Sequence, residues 1–286
     1  MAVQEAVRSL SIKPLGQHVG AEVIGVDLSK PLAPEIRRQL RDALVKHIAL
    51  VFRDQHFDQD SYVEAVRNFG KPVPQNFADD RLENPHVSLV SNTIPGKGGK
   101  RVYHADYWHT DHTNRQEPPC FTSLYAVEVP VSGGGDTGVL STRIAYEKLS
   151  PAMRKRVEGL RSVNVYSGSA ARNTSHKAET LKRAEADNPA VHPLIRLNPD
   201  NGTKAIYLHQ GKLEQFEGMT PEQSQDLVGE LMQEVVKPEY IYRHKWRKGD
   251  FMIWDDRASM HQAYSDYDLN ETRTLHRIIA EPQRPA

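Results

Sequence analysis

Between Phe121 and Ala280 the chain returns repeatedly to short β-rich runs, without the regular alternation of strand and helix that a parallel crossover sheet needs. Phe121 to Val129 ends at Pro130, Gly133-Gly134-Gly135-Asp136 reads as a turn, and Thr137 to Ser141 reads as a strand. Ala205 to His209, Phe251 to Trp254 and Arg273 to Ala280 are further strands, and Tyr240 to Trp246 alternates as a half-buried strand does. The pattern argues against a doubly wound sheet. It favours a mainly β protein with flanking helices, of jelly-roll-like double-sheet form.

The flanking elements can be read in order. Residues 10–28 are extended, with Ile12 and Val23 to Val26 punctuated by Gly16, Gly20 and Gly25. Ala33-Pro34-Glu35 opens a helix whose stripe is Ile36, Leu40 and Leu44. Ile48 to Phe52 is a strand. Asp60 to Asn68 is a helix with Tyr62, Val63, Val66 and Phe69 inward and Gly70 as its stop. Ser150-Pro151 opens a helix, and Thr220-Pro221-Glu222-Gln223 is a capping box before Leu227, Leu231 and Val235. Two stretches, about 71–106 and 167–203, lack a period. They read as lid-like insertions in a single domain spanning 1–286. The Gly-Lys pairs of Ile94 to Lys100 lack Walker spacing and do not form a phosphate loop.

Composition removes several function classes. The 286 residues carry 37 basic and 37 acidic side chains, so no net field attracts nucleic acid or an anionic membrane surface. One cysteine, Cys120, excludes an internal disulfide framework and is expected to be a small buried residue. No apolar run is long enough to span a membrane, and Met1 to Glu5 lacks the order of a signal peptide. A cytoplasmic protein is expected, with homo-oligomerisation left open.

The chemistry centres on Tyr107-Trp108-His109-Thr110-Asp111-His112. In an extended segment His109 and Asp111 project from the same face, offering an imidazole and a carboxylate. Such a pair suits an octahedral divalent ion such as Fe(II), with a third ligand from a distant histidine. His261, in Trp254-Asp255-Asp256-Arg257-Ala258-Ser259-Met260-His261, is the best candidate, and His104 is a competitor. Two histidines and one carboxylate leave three positions open for a chelating cosubstrate and O2, whereas a structural zinc site is closed by four ligands. His112, adjacent to Asp111, points to the opposite face.

The order and spacing of H-x-D, the Gly133 to Thr137 turn, W-D-x-R-x-x-x-H and Arg273-Thr274-Leu275-His276-Arg277 resemble the taurine dioxygenase family of Fe(II)/2-oxoglutarate-dependent oxygenases, from about Leu10 to Pro282. The resemblance implies a double-stranded β-helix with helices packed outside. It also implies Fe(II) held by His109, Asp111 and His261, with 2-oxoglutarate and O2 as cosubstrates. Arg273 matches the arginine that pairs with the distal carboxylate of 2-oxoglutarate, and Thr137 matches the threonine that shares it. The implied reaction decarboxylates 2-oxoglutarate to succinate and CO2 and hydroxylates a second substrate. Beside a heteroatom, that hydroxylation leads to bond cleavage.

Arg277 lies on the same strand face as Arg273, about 13 Å further along. Two buried cations each need an anion. One anion is the cosubstrate, and the other is either a small anionic organic substrate or a carboxylate of the protein. The sequence departs from the family in three places. Asp256 stands where Asn is common, Gln75 is near the place of a substrate-binding His, and Ala105 replaces an Asn. The last two speak against taurine itself and for a sulfonate, alkyl sulfate or aryloxyalkanoate. Two other readings remain: a non-catalytic small-anion-binding jelly roll, and a metallo-hydrolase. The second lacks the preceding His of an H-x-H-x-D-H pattern, since Tyr107 stands there.

Overall fold

The computed structural model describes residues 10–74, 82–94, 101, 105–166, 168–169 and 188–282. In its N-terminal third, β1 (Ser11–Pro14) and β2 (Ala21–Ile24) precede α1 (Pro34–His47), β3 (Ala49–Phe52), α2 (Gln59–Arg67), β4 (Gly70–Pro72) and β5 (Ser88–Ser91). A capping box starts α2: Asp58 accepts from the Ser61 amide at 2.8 Å, and Ser61 Oγ accepts from the Asp58 amide at 3.0 Å. Gly70 does not stop this helix. The C-cap is Asn68, and Gly70 opens β4, where a Cβ would run into the carbonyl of Glu281 on the neighbouring strand. Its missing side chain serves sheet pairing.

The chain continues through β6 (Phe121–Glu128), β7 (Thr137–Ser141), α3 (Thr142–Glu147), α4 (Pro151–Val157), β8 (Arg161–Asn164), β9 (Ala190–Pro193), β10 (Ile195–Leu197), β11 (Lys204–Ile206) and β12 (Leu213–Phe216). It ends with α5 (Pro221–Val235), a 3-10 turn at Pro238–Tyr240, β13 (Ile241–His244), β14 (Phe251–Asp255), β15 (Ser259–Ala263) and β16 (Thr274–Pro282). Two of these strands, β9 and β10, fall inside the stretch read from sequence as an irregular insertion. They form because β9 pairs with β8, and β10 pairs with β11.

Among the described residues, eight strands make one sheet in the order β1-β2-β3-β14-β6-β16-β4, with β5 also on β16. Only the β2–β3 pairing in it is parallel. A second sheet has the order β13-β7-β15, entirely antiparallel. Strand parity divides the core. Leu50, Phe52, Phe121, Tyr125, Phe251 and Ile253 bury against α1 and α2. The alternate residues Val51, Leu124, Ala126, Met252, Trp254 and Leu275 meet Val139 of the second sheet. On the outer face of that second sheet, Leu140 and Met260 pack with residues of α3, α4 and α5. Two facing antiparallel sheets with helices outside form a jelly roll. Cys120 is buried in the first cluster, as expected for a small core residue.

Candidate active site

Backbone pairing assembles the centre of the site. His109 and His261 exchange hydrogen bonds, N to O at 3.1 and 2.8 Å, while the Thr110 amide donates to Leu208 O at 3.0 Å. The Thr110 hydroxyl donates to Ser259 O at 2.9 Å. The 109–111 segment is thereby clamped between β15 and the Leu208-His209 backbone, and the His109 and His261 rings come within 4.2 Å. Asp111 lies between their inner nitrogens, with Oδ1 3.7 Å from His109 Nε2 and Oδ2 4.0 Å from His261 Nε2.

All three side chains are buried, and one donor atom from each lies within 4.8 Å of the others. These separations are too long for hydrogen bonds. Three buried donors thus face a common point without satisfying one another, which a divalent cation would do. Burial lowers both histidines, His261 to about 3, which favours the neutral form that a metal ligand needs. Burial opposes ionisation of Asp111, but its positively charged surroundings, the Arg277 guanidinium among them, outweigh it and hold the carboxyl well below its usual range. The His109 Nδ1–H donates to Tyr107 O at 2.7 Å, which leaves the Nε2 lone pair facing inward.

His112 stands outside this group. Its backbone is left-handed (φ 54°), its Nε2 is buried without a partner among the described residues, and burial pushes the imidazole down to about 3. His104 and Gln75 lie outside the described residues, as do parts of both stretches read as insertions.

The parity of β16, extended one residue back to Arg273, places both arginines. Leu275 points between the sheets, and Arg273 and Arg277 share its face. Arg273 is 5% exposed. Its Nε donates to Gly135 O at 2.6 Å and a terminal nitrogen to Thr137 Oγ1 at 3.4 Å. The Arg273 amide is held by Asn92 Oδ1 at 3.0 Å, and Trp246 Nε1 donates to Thr137 Oγ1 at 3.0 Å. No carboxylate among the described residues forms an ion pair with Arg273. A cavity of about 10 Å³ beside it is lined by Ser91, Asn92, Tyr264 and Tyr267.

Arg277 is more open, with 27% of its side chain exposed. One terminal nitrogen sits 3.6 Å from Asp111 Oδ2, and Nε donates to Ser88 Oγ at 3.4 Å. The internal carboxylate considered for Arg277 is therefore the candidate metal ligand itself. A larger groove of about 500 Å³, lined by Gly133, Asp136, Arg243 and Trp246 among others, includes none of the three donors. The chemistry, not cavity size, marks the site.

Sequence reasoning did not find Asn92, Trp246, Ser88, Thr122 or His209 as neighbours of these groups. His209 is bridged to His109, with ring centroids 5.0 Å apart. An H-x-D on one extended edge would have called for a pairing partner, but nothing in the residue order says which one.

A jelly roll that presents two histidines and one carboxylate at a common point has the architecture of a mononuclear non-haem iron oxygenase. The chain belongs to the taurine catabolism dioxygenase TauD, TfdA family, whose profile matches residues 11–279. It is 30% identical to an alpha-ketoglutarate-dependent sulfate ester dioxygenase from Pseudomonas putida, over 96% of this chain and 91% of that protein. It is 28% identical to an alpha-ketoglutarate-dependent 2,4-dichlorophenoxyacetate dioxygenase from Cupriavidus pinatubonensis, over 94% and 96%. The crystal structure of a taurine dioxygenase from Burkholderia xenovorans superposes with a TM-score of 0.79 at 31% identity, covering 97% of this chain and 91% of that one. The protein is a 2-oxoglutarate-dependent dioxygenase that uses Fe(II) and O2.

Proposed function

We propose that this dioxygenase hydroxylates a small organic anion of the sulfate ester, sulfonate or aryloxyalkanoate class. In this reading His109, Asp111 and His261 hold Fe(II), Arg273 and Thr137 hold the distal carboxylate of 2-oxoglutarate, and Arg277 holds the substrate's charge. With 2-oxoglutarate and O2, the iron supplies decarboxylation of the cosubstrate to succinate and CO2 and oxidation of one substrate C–H bond. The protein's own part is to place these partners. Tyr107 O fixes the His109 tautomer, and the Thr137 hydroxyl oxygen accepts from both Trp246 and Arg273, which leaves its own proton for another acceptor.

The observation that carries the assignment is the contrast between Arg273, which precedes β16, and Arg277 on the strand itself. Arg273 is sealed in the interior with no carboxylate partner among the described residues, so a bound carboxylate would offset its cost of burial. Arg277 reaches Asp111 while more than a quarter of its side chain stays open, so an anion can reach it near the reacting centre. Relatives that act on sulfate esters and 2,4-dichlorophenoxyacetate support an anionic substrate.

The test is a succinate-release screen across alkyl sulfates, sulfonates and aryloxyalkanoates, followed by Arg277→Gln on the substrate found. Expected is a strong rise in substrate KM, an unchanged 2-oxoglutarate KM, and succinate formed without matching substrate oxidation. Wild-type values for both KM and coupling would remove Arg277 from the substrate site.

A further inference from the structure

The two histidines of the site differ in how their outer nitrogens are held. The His109 Nδ1–H has a backbone carbonyl 2.7 Å away. The His261 Nδ1 is buried and has no hydrogen-bond partner among the described residues. A histidine that offers Nε2 to a metal carries its proton on Nδ1, and a buried N–H without an acceptor costs free energy. One acceptor lies within reach. Asp256 Oδ1 is 3.9 Å from His261 Nδ1, too long for a hydrogen bond but within about an ångström of one.

Asp256 is itself held in place. It is 1% exposed, and Trp254 Nε1 donates to the same Oδ1 at 3.1 Å. The Thr122 hydroxyl, fully buried on β6, lies 2.6 Å from Asp256 Oδ2 and 3.4 Å from Asp111 Oδ2. One carboxyl group therefore reaches toward both remaining ligands, His261 directly and Asp111 through Thr122. The Trp254 ring packs on His261 at 4.7 Å between centroids, which limits how far the imidazole can turn away. Thr122 and Trp254 face each other across the β6–β14 ladder, so the brace is anchored on paired strands and not on a loop.

We propose that Asp256 is a positioning residue for the metal centre: its Oδ1 accepts the Nδ1–H of His261 and aims Nε2 at the metal. The acceptor role of Oδ1 is the same whichever of Asp256 and Thr122 donates across their 2.6 Å contact. The inference rests on the ligand assignment of the preceding subsection. Outer hydrogen bonds of this kind alter metal affinity by about 10- to 100-fold.

The experiment is an anaerobic titration with Co(II), read by its visible absorption, on wild type, Asp256→Asn and Asp256→Leu, with the melting temperature of each metal-free protein. Asn keeps an acceptor at the Oδ1 position and leucine does not. Expected is Co(II) binding by Asp256→Asn close to wild type, and binding by Asp256→Leu weaker by about 10- to 100-fold. Leucine at wild-type affinity would overturn the proposal, even with a lowered melting temperature, because Asp256 would then serve the fold alone. Wild type that takes up no Co(II) would overturn the ligand assignment and this proposal with it. Should the leucine variant not fold, the Zn(II)-loaded wild type answers by NMR. A slowly exchanging, downfield Nδ1–H of His261 is expected, and a freely exchanging one at an ordinary shift would overturn the assignment.

Discussion

Arg273 and Arg277 are identical side chains four residues apart, and their surroundings differ. Arg273 is buried with a carbonyl and a hydroxyl as partners. Truncating one partner of a buried charged pair costs on the order of 2–5 kcal/mol, roughly 30- to several-thousand-fold in affinity. Arg273→Leu is therefore expected to raise the 2-oxoglutarate KM by that factor while Fe(II) still binds. An unchanged KM would exclude the role. The arginines, Thr137 and the three candidate ligands were legible in the sequence because their order and spacing repeat a pattern. Asn92 and Trp246 were not, because each acts on a residue far away in the chain, 181 and 109 positions respectively, and neither belongs to a motif. The tip of Arg277 meeting Asp111 was also out of reach, since strand parity gives a face but not the length of a side chain's reach.

At the scale of elements, the turn between β6 and β7 shapes the surroundings of Arg273. Gly135 has φ +65°, and a Cβ there would lie 2.8 Å from Arg273 Cδ. A left-handed conformation costs an L-residue about 1–2 kcal/mol. Gly135→Ala is expected to lower the melting temperature and to raise the 2-oxoglutarate KM by displacing Arg273, with Fe(II) affinity unchanged. A wild-type KM would show that Arg273 has room to move. Far from the site, Thr220 caps α5 by accepting from the Gln223 amide at 3.2 Å, while Gln223 Oε1 accepts from the Thr220 amide at 2.9 Å. Thr220→Ala should cost about 1 kcal/mol in denaturant unfolding and leave both KM values alone. This helix was legible because its signals are local. The strands β8, β9 and β10 were not. They are three or four residues long, too short for a period to show, and exist through their partners and not through a pattern of their own.

For the whole molecule, buried neutral histidines set the acid limit of stability. His244 is fully buried, with Nε2 3.1 Å from Asp250 Oδ2 and Nδ1 2.9 Å from the Tyr242 hydroxyl, and burial lowers its pKa. His192, whose Nε2–H donates to Arg115 O at 2.8 Å, is lowered for the same reason. Below an ordinary histidine pKa of about 6.5 the unfolded chain takes up protons that these folded sites refuse. Stability should be flat above neutrality and fall as pH drops below about 6.5, by up to about 1.4 kcal/mol per pH unit for each such histidine. Urea unfolding of metal-free protein from pH 8 to pH 5 measures this, and the slope should flatten in His244→Gln. A curve level down to pH 5 would contradict it.

The facing sheets bring His109, Asp111 and His261 to one point, and everything proposed about the chemistry depends on an iron held there. Anaerobic titration of the metal-free protein with Fe(II), followed by 2-oxoglutarate, tests this most directly. Expected is one Fe(II) per chain, a visible charge-transfer band that grows only when 2-oxoglutarate is added, and loss of that band in His261→Ala. A band of wild-type strength in His261→Ala, or none in the wild type, would contradict it.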